Sequence, residues 1–182
     1  MKNTNKIFLG EFIGSSFLVM VIVGSGIMAE NLTNDNALRL TANTLATGAG
    51  LFVLITAFAN ISGAHFNPFV SLAMFLRKKI TGKLLIIYIP AQILGCLLGV
   101  MLANVFFEHN ILELSTKNRD GFHIFLSEII ATFGLIFIIF ATLKDGKNNN
   151  SCKCSNIYHG WLLVHIINIF CKSSCCYSKN FY

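Results

Sequence analysis

The sequence predicts an all-α membrane protein, a bundle of spanning helices with one helix that enters the bilayer and turns back. Three observations carry that expectation. Of 182 residues, 54% are hydrophobic and 12% charged, whereas soluble domains average about 25% charged. Four apolar runs reach the roughly 20 residues that cross a bilayer as a helix: Ile7 to Met28, Leu40 to Asn60, Leu84 to Phe107 and His123 to Leu143. The chain also carries no charge from Leu40 to Leu76, 37 residues in all. As one helix that stretch would span about 55 Å against a hydrocarbon core of roughly 30 Å, so it must fold back.

The first run is longer than a secretory signal core and contains Glu11; it reads as a retained helix. Orientation follows from the basic residues, which favour the cytoplasmic side. With the N-terminus inside, Lys2, Lys6, Arg77, Lys78, Lys79, Lys83, Lys144 and Lys147 lie inside, against Arg39, Lys117 and Arg119 outside. The net charge of +6 is then a topology signal, and no soluble basic face points to nucleic acid.

Within the uncharged stretch from Leu40 to Leu76, "SGAHFNPFV" from Ser62 to Val70 breaks the helix. Gly63 is the natural break and Asn67-Pro68 the natural restart, since asparagine caps helices and proline suits their first turn. A short helix from Phe69 to Phe75 follows. Non-helical backbone at membrane depth leaves polar groups unpaired unless it is buried in protein or lines a watery cavity, which points to a pore. A half-helix starting at Asn67 presents free N–H groups and about half a positive charge. With the Asn67 amide it could hold the oxygen of a passing neutral molecule.

"ISGAHFNPFVSLA" is similar to the first asparagine-proline-alanine loop of the major intrinsic proteins, the aquaporin and glycerol-facilitator family, with Phe69 in place of the usual alanine. The resemblance extends over about Lys6 to Asn150. It implies six membrane helices and two half-helices in two inverted repeats, assembled as homotetramers with one pore per subunit in the plasma (inner) membrane. Water and small neutral solutes such as glycerol, urea or metalloid hydroxides would be the cargo, with no cofactor, metal or catalytic chemistry. Aquaporin-type pores are the established example of half-helix dipoles excluding cations and protons.

The resemblance assigns pore roles to Gly63, His65, Asn67, Pro68 and Phe69. It makes Glu11 and Glu128 carboxylates that hold the pore loops, and places Gln92, with Gly95, in the third helix, where small residues allow close contact. Intramembrane carboxylates are costly enough to be functional by default. Twenty residues before Asn67, where narrow water-selective members carry an aromatic, stands Thr47, which implies a wider gate.

A repeat is visible in the residues themselves. "GEFIGSSFLVMVIVG" from Gly10 aligns with "SEIIATFGLIFIIFA" from Ser127, placing Glu11 on Glu128, Ser15 on Thr132 and Leu18 on Leu135. The expected organisation is a first repeat over residues 1–110, with the re-entrant loop at 62–76, and the start of a second over 111–150, with its helix at 123–143.

From 151 to 182 the pattern fails. Five of the six cysteines fall there, without the geometry of a metal site. Permitted codons for Ser151 to Lys179, shifted by one nucleotide, spell "VANAPTFIMAGYWFTSSIFFANPAVAIA", which restores an asparagine-proline-alanine loop. The tail therefore reads as frameshifted and the second repeat as incomplete, so that this chain is expected to conduct poorly. A non-conducting subunit that joins full-length channel relatives is the alternative reading. A membrane enzyme built on His65 with Glu11 or Glu128 ranks last, for want of a nucleophile or metal set.

Overall fold

The computed structural model describes residues 4–111 and 122–144. The described residues form five helices and no strand: α1 Thr4–Leu32, α2 Asn36–Phe58, α3 Pro68–Leu76, α4 Gly82–Phe106 and α5 Phe122–Lys144. Three of them, α1, α2 and α4, are long and apolar enough to cross a membrane, and α5 contributes a 17-residue apolar stretch, Phe125–Ala141. The expected tail at 151–182 lies outside the described residues. The chain divides into two units at Glu113. In the second, α5 stacks Phe133 on Phe137 with ring centres 6.4 Å apart.

In the first unit α1 is the central helix, packed along α4 and against α2. Glycine sets the first contact. A methyl group on Gly95 would overlap the carbonyl oxygen of Phe12, and one on Gly99 that of Ser16. The pairs Phe12 with Gly95 and Ser16 with Gly99 advance together, so α1 and α4 run parallel. Two small residues four apart let the backbones meet, and backbone proximity is the main attraction available to helices whose lipid-facing surfaces are as apolar as the lipid.

The α1–α2 turn is closed by polar bonds. Asp35 caps α2, its Oδ1 accepting from the Ala37 and Leu38 N–H groups at 2.8 and 3.4 Å. Arg39 donates back to the Thr33 and Glu30 carbonyls, satisfying acceptors that every helix leaves open at its C-terminus. Deeper in the hairpin, Asn43 Nδ2 donates to Ile22 O and Ser25 Oγ, each at 2.9 Å, tying α2 to α1 through a side chain.

Helix α2 ends at Phe58, and the Phe58 carbonyl then accepts from Ser62 and Gly63. Gly63 turns the chain at φ +104, and Ala64 and Phe66 also take left-handed φ values of 51 and 48. Such φ values cost a residue with a Cβ about 1–3 kcal/mol. Asn67 returns to extended backbone, and Pro68 opens α3.

Helix α3 ends at the Arg77 cap. Lys78 is left-handed at φ 54, with Lys78 N donating to Phe75 O at 2.8 Å and Lys79 N to Met74 O at 2.9 Å. This is a Schellman end, whose left-handed position is usually glycine.

Candidate functional site

The 62–67 segment is held from one side by Glu11. This carboxylate is fully buried and accepts four hydrogen bonds. Oε1 takes the Ser62 hydroxyl at 2.6 Å and the His65 N–H at 3.1 Å. Oε2 takes the Phe66 N–H and Gln92 Nε2, both at 2.8 Å. The two backbone donors flank or carry the strained left-handed positions, so the carboxylate fixes a conformation the chain would otherwise leave. A site that over-determines local strain in this way is the usual setting for function.

A second layer braces the first. Gln92 Nε2 also donates to Ser71 Oγ at 3.0 Å, and Ser71 Oγ reaches His65 Nδ1 at 3.0 Å and the Asn67 carbonyl at 3.3 Å. Tyr88, one helical turn before Gln92, donates its hydroxyl to the Ser62 carbonyl and stacks on the His65 ring at 4.5 Å. The Phe66 ring fills the space over Gly14 and meets Phe58 edge-on at 6.0 Å. Helices α1, α3 and α4 thus each supply part of the cradle.

Asn67 caps α3, Oδ1 accepting from the Phe69 N–H at 2.8 Å. That bond orients the amide, and among the described residues no acceptor takes the Nδ2 hydrogens. Nor does a donor there reach the carbonyls of Gly63 or Ala64. One rigid segment therefore presents amide donors beside carbonyl acceptors, the complement of a small molecule bearing hydroxyl or amide groups.

The cradle gathers Gly63, His65, Asn67, Pro68, Glu11 and Gln92 into one place. Phe69 is exposed on α3. Thr47 is separate: it is buried on α2, and its Oγ1 has no partner among the described residues. Glu128 lies on α5, and the loop it was expected to hold lies outside the described residues. The sequence reading missed Ser62, Ser71 and Tyr88. Spacing could have found two of them, because Ser71 stands one turn after Asn67 and Tyr88 one turn before Gln92, on the same helix faces.

Parallel packed helices around an irregular segment held by a buried carboxylate define a multi-pass membrane protein built around a backbone loop. Comparison with known proteins agrees. The family model for the major intrinsic proteins matches residues 1–178, and the chain belongs to that family. It is 46% identical over 136 residues to Aquaglyceroporin AqpS of Rhizobium meliloti (strain 1021), covering 75% of this chain and 58% of that protein. To Aquaporin TIP1-2 of Musa acuminata it is 37% identical over 168 residues, 88% of this chain and 66% of the relative. A probable TIP-type aquaporin of Medicago truncatula is 35% identical over 152 residues, 81% of this chain and 61% of the relative. The chain thus spans about three fifths of the length of these relatives.

Proposed function

We propose that the protein is built as a passive channel for water and small neutral solutes, with Asn67 and the Gly63 and Ala64 carbonyls as the solute-contacting groups of its first repeat. The observation that carries this reading is the three-bond grip of Glu11 on a segment whose Gly63 and Ala64 carbonyls and Asn67 amide hydrogens have no partner among the described residues. Carbonyls and an amide left unpaired at membrane depth cost several kcal/mol each unless water or solute meets them. A passing hydroxyl can donate to the carbonyls and accept from the Asn67 amide, replacing the bonds it made in water. No covalent step is needed, and the reading is not that of an enzyme.

The aquaglyceroporin name of the R. meliloti relative supports a gate that admits polyols, as does the small threonine at position 47, where an aromatic side chain would narrow the path. Homotetrameric assembly, a plasma-membrane location and a cytoplasmic N-terminus belong to the same proposal. They are supported by the family resemblance and by the eight-to-three distribution of basic residues. Glu128 would hold the matching loop of the second repeat.

The test is a chimera in which residues 4–111 replace the corresponding segment of the R. meliloti relative, reconstituted in liposomes. Osmotic shrinkage should be faster than in protein-free vesicles for water and glycerol. Asn67→Ser, which keeps a capping oxygen but removes the amide donors, should slow it. A chimera that reaches the bilayer yet passes neither solute would overturn the proposal.

A further inference from the structure

The turn between α3 and α4 carries Arg77, Lys78, Lys79 and Lys83, all exposed. No acidic side chain occurs between Asp35 and Glu108. Positive charge on one side of the membrane is enough to set topology, and a floppy loop would serve. This turn is not floppy. The Lys78 and Lys79 N–H groups close the end of α3, and the Thr81 carbonyl accepts from Leu84 and Leu85 to start α4. The ordered backbone therefore sets the positions from which four exposed cationic side chains project over seven residues.

Their depth follows from α4. Its 25 residues make about 37 Å, longer than the roughly 30 Å hydrocarbon core, so its ends reach the headgroups. Leu76 and Ile86, 72% and 73% exposed, bracket the cations and supply apolar surface for the acyl chains just beneath.

We propose that the Arg77–Lys83 turn is a docking site for the phosphate groups of anionic phospholipids. Each basic residue near an anionic surface adds about five-fold to association, and a preformed cluster loses less freedom when it closes on a headgroup. The inference rests on the membrane placement of α4, not on the solute path.

The full chain in phosphatidylcholine nanodiscs, with spin-labelled phosphatidylglycerol or phosphatidylcholine as probe, tests it. Phosphatidylglycerol should be preferred, and Lys83→Gln should weaken the preference about five-fold. Lys78→Gly removes a charge while placing glycine where the left-handed backbone favours it, so it should fold at least as well yet bind anionic lipid less. Replacing all three lysines by arginine should keep the preference. No preference for the anionic probe, or one unchanged by Lys78→Gly and Lys83→Gln together, would overturn the site. Displacement by inorganic phosphate, beyond that by chloride at equal ionic strength, would show a soluble anion as the ligand and overturn the lipid assignment.

Discussion

Glu11 is the residue on which the local conformation turns, because one side chain meets four donors from two parts of the chain. Glu11→Gln keeps the shape but points an N–H₂ group at donors. Leaving buried donors unsatisfied costs about 1–3 kcal/mol each, so we expect thermal stability in detergent to fall by the equivalent of about 2–5 kcal/mol. A variant as stable as the parent would contradict the role given to the carboxylate. Ser71→Ala is a subtler probe. It removes the oxygen shared by Gln92, His65 and Asn67, and a loss of about 1–3 kcal/mol is expected. Asn67 was legible from its motif, since asparagine before proline has a capping reason. Ser71 and Tyr88 carried only a spacing signal, one turn from Asn67 and Gln92, which ordinary packing also suits; the fold shows that both brace the loop Glu11 holds.

At the scale of helices, glycine decides the closest approach. Gly95→Val would drive a branched side chain into the Phe12 carbonyl, forcing α1 from α4 and stretching the Glu11–Gln92 bond that spans the same interface. Overpacking of this kind costs roughly 1–3 kcal/mol. On α5, by contrast, a Cβ on Gly134 meets nothing within 4 Å among the described residues, and Gly134→Ala, which favours the helix, should not lower thermal stability. A Gly95→Val variant that melts with the parent would refute the tight α1–α4 contact. The sequence shows the rough limits of the three spanning helices α1, α2 and α4, because apolar length is a direct consequence of bilayer thickness. It is silent on partners: nothing in "PAQILGCLLG" says that Gly95 meets α1 and not α2. The left-handed Ala64 and Phe66 were also hidden, since neither residue favours that conformation without a distant carboxylate.

For the whole molecule, the proposed channel requires that the irregular loop lie in the interior of the bilayer, held there by polar bonds, with Asn67 meeting water at a depth where lipid-exposed backbone would not survive. Helix α3, nine residues long, is about 13 Å, close to half the hydrocarbon thickness, which suits a helix starting near the midplane and ending at the basic turn. A nitroxide at position 67, in a background with the native cysteines replaced by serine, reads depth and water contact together through relaxation by oxygen and by a water-soluble nickel complex. The account predicts a label within about 5 Å of the bilayer centre that the nickel complex still reaches. A label at headgroup depth, or one at the centre reached by oxygen alone, would contradict it.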